Sequence, residues 1–301
     1  MKALAQFAMR GQWQAMFLTV AGAGSALFCW ISAAIIALVS LQQGPRWGGY
    51  LLFWALLPSG LLVYLYGDAG PLMLLVSAWV IASALALTGS LSSMLLASVP
   101  VGLVSGLLMV LLGDAYLQQL VDLFDGFLTN LEQSIDGGAD LVLQRPSTTQ
   151  IAGVLAVSNS AVAVGSVLLG AYWQSSLYRP GLFGREFVKT VFPPAVGVGL
   201  LLAAGAVLSL GTGMQSWATI LIVPLVFSSL GLVHARARAL NKGSGYFAAF
   251  YGLWVLVDLL KLVLVVLAAL DSLLGLRKRY LPKDAANAVA QQDESREDKD
   301  L

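Results

Sequence analysis

Charge is what this sequence has least of. It carries 17 basic and 16 acidic residues in 301, or 11%, where a soluble domain carries roughly 25%. A water-soluble globule with 58% hydrophobic residues has too little polar surface to cover itself. There is one cysteine, Cys29, which excludes an intrachain disulfide. There is one histidine, His234, with no Cys or carboxylate cluster around it, so no metal site of recognisable spacing exists. No P-loop, no Gly-x-Ser-x-Gly, no His-Glu-x-x-His and no cleft-like carboxylate pair occurs, so an intramembrane enzyme is disfavoured. A net charge of +1 calls for no nucleic-acid partner. No cofactor is implied.

What remains is apolar and continuous. Hydrocarbon about 30 Å thick needs about 20 apolar residues in a helix. Eight runs qualify: 17–40, 49–66, 71–88, 91–112, 150–171, 192–210, 217–234 and 246–272. Lipid leaves unpaired backbone groups unsatisfied, so these runs read as helices. The expected fold is an all-α polytopic transmembrane bundle of about eight spans. Its partner is the lipid bilayer. The run at 17–40 is too long for a signal-peptide core and reads as an uncleaved first span. Thr88-Gly89-Ser90 alone separates the third and fourth runs, leaving either a tight hairpin or one span with a re-entrant segment.

Charge is also unevenly placed. Twelve charged residues fall in 277–301 and seven in 114–145, leaving 14 for the other 244 positions. Within 114–145, Tyr116, Leu117, Leu120, Val121, Phe124, Leu128, Leu131 and Ile135 recur at helical spacing, with Asp122, Asp125, Glu132 and Gln133 off that stripe. This predicts an amphipathic interfacial helix ended by Gly137-Gly138. The domain reading is a membrane domain over 1–276, with 114–145 as an acidic insert, and a charged, disordered tail over 277–301. Lys and Arg in the connecting segments count seven against seven for eight spans, so they fix no orientation. The first helix and the Arg277-Lys278-Arg279 cluster favour both termini in the cytoplasm.

Against so little charge, Asp258 and Lys261 in the last run stand out. An ionisable group inside a span costs about 2.5–3.5 kcal/mol on insertion scales. At i,i+3 the two share a face and can pair, either locking the helix to a neighbour or lining a solute or proton path. Asp271, near the end of that run, is expected to be solvated. Ser158-Asn159-Ser160 fall mid-run, where Asn159 and Ser160 serve either as interhelical glue or as ligand-facing groups. Pro58, Pro100 and Pro224 mark the expected bends. Trp13, Trp47, Tyr50, Tyr172, Trp173, Trp217 and Tyr246 fall at run ends, where aromatic rings anchor spans at headgroup depth.

The loop after the fifth run reads Tyr172-Trp173-Gln174 and then Tyr178-Arg179-Pro180-Gly181-Leu182-Phe183-Gly184-Arg185-Glu186-Phe187. It resembles the corresponding loop of the YybS-like family of uncharacterised bacterial inner-membrane proteins. Gly231-Leu232-Val233-His234 and the basic exit Arg277-Lys278-Arg279-Tyr280-Leu281-Pro282 resemble that family too. The family is similar in fold to the substrate-binding membrane subunits of energy-coupling-factor vitamin importers. The resemblance implies capture of a small molecule inside the bundle and a protein partner that supplies energy. It also implies a coupling or gating element formed by Arg179, Pro180, Gly181, Arg185, Glu186 and His234. The competing expectation is a scaffold or regulator acting through the amphipathic helix and the tail.

Overall fold

A computed structural model describes residues 2–134 and 143–280. The expected Gly137-Gly138 helix end, Ile135 and the tail beyond Tyr280 lie outside the described residues. Everything described is helix or connection, with no strand among the described residues. The helices are α1 (Lys2–Ala8), α2 (Gln12–Ala23), α3 (Cys29–Gln43), α4 (Pro45–Tyr66), α5 (Gly70–Thr88), α6 (Leu91–Leu112) and α7 (Asp114–Ser134). They continue with α8 (Thr148–Tyr178), α9 (Leu182–Lys189), α10 (Pro194–Leu208), α11 (Gln215–Ala239), α12 (Ser244–Leu256) and α13 (Asp258–Leu274). Five stretches are long and apolar enough to cross a bilayer: α4, α5, α6, α8 and Thr212–Ala239. Two bent pairs, α9 with α10 and α12 with α13, raise this to seven if each is one span. The chain is a multi-pass membrane protein.

Two compact units are present: Met1–Phe183 with Leu202–Pro224, and Gly184–Leu201 with Leu225–Leu301. The first is built around α3. Its residues Ser32 to Ser40 are buried without interruption, as expected of a helix apolar on every side. Its neighbours are α2, α4, α5 and α8.

Here one expectation changes. The 17–40 run is not one span: it breaks after Gly24, and α3 doubles back along α2. Ser32 Oγ donates to the Thr19 carbonyl at 2.8 Å. Gln12 and Ala15 line the same cavity of about 20 Å³ as Val39 and Gln43. Hydropathy averages over Gly22-Ala23-Gly24-Ser25, whose small side chains let the backbone turn.

Thr88-Gly89-Ser90 resolves into a hairpin between two complete helices, α5 and α6. Gly89 takes φ +66, and Ser90 caps α6 by accepting from the Ser93 amide. On α6, Gly102 and Gly106 are the small residues that let helices approach. A Cβ on Gly106 would stand 2.8 Å from Ala156 Cβ of α8, and one on Gly102 2.7 Å from Ile220 of α11. Among the expected anchors, Trp173 is instead fully buried, and part-buried Trp217 donates Nε1 to the Thr149 carbonyl at 3.0 Å.

Four of the five basic residues of this unit gather at one end. Lys2 and Arg10 belong to the end where Gly11 and Gln12 meet Gln43 and Trp47. Arg46 follows directly, and Arg179 closes α8 just beyond Gln174, whose amide donates to the Leu41 carbonyl at 2.9 Å. Arg145 is at the other end, beside the start of α8.

In the second unit, the 246–272 run is not a continuous span either. Val257 leaves helical geometry (φ −120, ψ 101), and the chain bends by 109° between α12 and α13. No proline causes this break.

Candidate functional sites

Asn159 and Ser160 lie midway along α8 in the first unit. Asn159 Nδ2 donates to Ser77 Oγ on α5 at 2.9 Å, and Ser160 Oγ donates to the Ser98 carbonyl on α6 at 2.9 Å. The two hydrogen bonds tie α8 to two neighbours, which is what interhelical glue requires. Asn159 Oδ1 is buried with no partner. An amide oxygen left that way in a low-dielectric interior carries a desolvation cost.

Asp258 and Lys261 lie in the second unit, at the break. Lys261 Nζ donates to Asp258 Oδ1 at 2.6 Å, and the ammonium stands 5.8 Å from the centroid of the Trp254 ring. The break makes Asp258 the first residue of α13, where a carboxylate suits the positive end of the helix dipole. Its side chain is 92% exposed. The ion pair therefore leaves most of the carboxylate's accepting capacity free.

Of the coupling-loop residues, Arg179, Pro180 and Gly181 belong to the first unit and Arg185, Glu186 and His234 to the second. Arg179 ends α8: its amide donates to the Ser175 carbonyl, and Ser175 Oγ donates back to the Arg179 carbonyl at 2.9 Å. Pro180 leads into Gly181, which takes φ +83 and so makes the turn into α9. Arg185 is exposed, and Glu186 pairs loosely with Lys189 at 3.6 Å. His234 sits in an aromatic nest, stacked on Phe247 with centroids 4.4 Å apart, edge-on to Phe187, and 2.9 Å from Tyr251 Oη through Nε2.

A site that sequence reasoning missed lies within the second unit. Asp271, expected to be solvated, is 1% exposed, and Arg277 is 3% exposed. Gly275 ends α13 in the left-handed region (φ +59), its amide bonded to the Asp271 carbonyl. That turn folds the chain back over the helix end. Asp271 Oδ1 accepts the Arg277 amide at 2.7 Å and Oδ2 accepts Nε at 2.9 Å. The guanidinium then donates to the carbonyls of Val188 at 2.9 Å, Thr190, and Ser228 at 3.0 Å. Four of its five N–H donors are used, so a single side chain satisfies carbonyls from α9, the following linker and α11. Gly231 makes room for this, since a Cβ there would stand 2.5 Å from the Phe187 carbonyl oxygen. The folded chain thus runs past 277, the expected start of the tail. The signal available in the sequence was an acid in the last turn of a helix, then Gly, then Arg two residues later.

A second basic clamp holds α7. Only Leu117 on this helix is buried, packed with Met109, Ile151 and Ala152. Arg145 reaches across the polar face, donating Nε to Asp125 Oδ1 at 2.8 Å, Nη2 to Glu132 Oε2 at 2.8 Å and to Thr129 at 3.2 Å, and Nη1 to Glu132 Oε1. Arg145 and the Leu143 amide hold the Glu132 carboxyl far below the usual range, at about 2, and the two carboxylates push the guanidinium upward.

No group of three or more metal-ligating side chains occurs among the described residues. Comparison with known proteins gives no match to a family model, to a curated protein or to a solved structure.

Proposed function

We propose that this is a multi-pass protein of the bacterial inner membrane that binds or moves a small polar solute, with no ATPase of its own. The observation that carries this reading is the Asp258–Lys261 pair, set at a break between two apolar helices and open on the carboxylate side. Two charges in an apolar stretch are costly to insert. Discontinuous helices are how many transporters present charge and free backbone to a solute. Asn159, with its unpartnered oxygen, and Ser160 are the further lining candidates. The stretch from Arg179 to Glu186, with His234, is the coupling element, and a protein partner supplies energy, as the likeness to YybS-like proteins implies. In this reading the eight expected apolar runs line or cross the bilayer. The amphipathic α7 lies along the interface, with Leu123, Phe124, Phe127 and Leu131, all exposed, against lipid.

Thermal-shift screening of the detergent-solubilised protein against vitamins and small polar metabolites tests this. A saturable stabiliser is expected whose midpoint rises at least tenfold in Asp258→Asn. A ligand whose midpoint is unchanged by both Asp258→Asn and Asn159→Ala removes these residues from the site. The exposed apolar face of α7 favours a second reading, a scaffold or regulator acting through that face and the tail. It fails if Phe124→Ser with deletion of 283–301 leaves function intact.

A further inference from the structure

Both ends of the α12–α13 pair meet the second half of α11. At the start of the pair, Phe247 and Tyr251 pack on His234. Just past its end, Arg277 donates to the carbonyls of Ser228 on α11, Val188 in the last turn of α9 and Thr190 just after it. Ser228 and His234 are six residues apart on one helix, roughly 9 Å along its axis. A continuous crossing from Ser244 to Leu274 would instead carry Arg277 about 30 Å away, to the opposite face of the hydrocarbon. The 109° bend at Val257 is what brings the chain back.

We propose that α12 and α13 form a re-entrant hairpin that enters and leaves on one face of the membrane and carries the Asp258–Lys261 pair to the bilayer midplane. Helices of 13 and 17 residues are about 20 and 25 Å long. A bend of 109° leaves 71° between the arms, and arms each inclined by half of that reach a depth of roughly 16–20 Å, near the middle of a 30 Å core. At that depth the tip presents Asp258, Lys261 and the ring of Trp254. Non-helical backbone at such depth is tolerated where it lines a polar cavity or is covered by protein.

The face the hairpin opens on is the cytoplasmic one. Arg185 and Lys189 on α9, Arg236, Arg238 and Lys242 at the end of α11, and Arg277, Lys278 and Arg279 after α13 all belong to the mouth of the hairpin. Only Glu186 and the buried Asp271 oppose them there among the described residues. The excess of cations on cytoplasmic loops then fixes the side. Taken alone, the first unit gives the same kind of answer, with Lys2, Arg10, Arg46 and Arg179 at one end and Arg145 at the other. The seven-against-seven count therefore came from drawing 17–40 and 246–272 as crossings when both double back.

Single-cysteine labelling in a Cys29→Ala background tests the hairpin. Lys242→Cys and Lys278→Cys flank it, and a membrane-impermeant maleimide is applied to spheroplasts and to inverted vesicles. Both positions are expected to label at least tenfold faster in inverted vesicles. Labelling from opposite sides overturns the hairpin, and labelling of both from the spheroplast exterior overturns its cytoplasmic assignment. A spin label at Leu256→Cys is expected to be relaxed by oxygen and shielded from a water-soluble nickel complex. The reverse puts the tip at the surface and overturns the midplane placement. None of these readouts involves a solute, so the hairpin can stand while the transport reading fails, and the reverse.

Discussion

Replacing Arg277 with methionine is expected to be among the most damaging single substitutions in the second unit. It removes four side-chain hydrogen bonds at once. Asp271 is left 1% exposed with only the Arg277 backbone amide to offset its charge. Breaking a buried pair by deleting one partner costs about 3–5 kcal/mol, because the other charge stays desolvated. For a unit of this size that is roughly 12–40 °C in melting temperature. Arg277→Lys keeps the charge but loses the planar fork that spans three carbonyls, and falls between wild type and Arg277→Met. The double variant Asp271→Leu/Arg277→Met removes both charges and is expected to recover much of the loss, since apolar replacement of a whole pair is often nearly neutral. Fluorescence-detected size-exclusion chromatography after a temperature series measures all of these in detergent. A melting temperature for Arg277→Met within 1 °C of wild type refutes the argument. So does a double variant whose loss equals the sum of the two single losses.

Gly106→Val is expected to cost about 1–3 kcal/mol by overpacking against Ala156 and Trp217, and an unchanged melting temperature would show that the α6–α8 seam can spread. Arg145→Ala is expected to speed amide hydrogen exchange across Asp114–Ser134, and unchanged protection would mean that Leu117 packing alone holds α7. Glu132 titrates at about 2 when folded against 4.5 ordinarily. Its contribution is therefore complete above pH 4.5 and is lost as pH falls toward 2. Exchange in α7, corrected for its intrinsic pH dependence, should accordingly be flat between pH 5 and 8; a change within that window would point to another titrating group. His234→Phe keeps the stack on Phe247 and drops the contact to Tyr251. It is expected to cost about 1 kcal/mol, and a loss several times larger would give the imidazole a role beyond packing.

Composition alone reveals the all-helical, multi-pass character, because apolar runs of this length have few other solutions. The pairing of Asp258 with Lys261 follows from their i,i+3 spacing, and a helix over Asp114–Ser134 from the spacing of its Leu and Phe residues. What hydropathy could not show is direction. A window average is the same whether a run crosses or doubles back, so the turns at Gly24 and Val257 were invisible to it. Prolines mark the expected bends at Pro58, Pro100 and Pro224, inside α4, α6 and α11, whereas Val257 breaks the helix without one. Partners distant in sequence were equally hidden. Asn159 meets Ser77 from 82 residues away, and Arg277 reaches Val188 across 89. Asp271 looked solvated because its place near the end of a run says nothing about a chain that turns back to cover it.

Helix α8 has 31 residues and is therefore about 46 Å long, half as long again as the hydrocarbon it crosses. Tilting cannot hide the excess, since even 40°, the upper end of the usual range, leaves roughly 35 Å along the membrane normal. Neither end is free to unwind: a Ser147–Gln150 capping box closes one and the Ser175–Arg179 hydrogen bonds close the other. The rod is thus a fixed ruler: its apolar run 150–171, about 33 Å long, matches the hydrocarbon, and the two turns beyond it stand in the headgroup layer. The overhang of seven residues, Tyr172 to Tyr178, therefore carries the Arg179–Gly181 turn about 10 Å beyond the hydrocarbon.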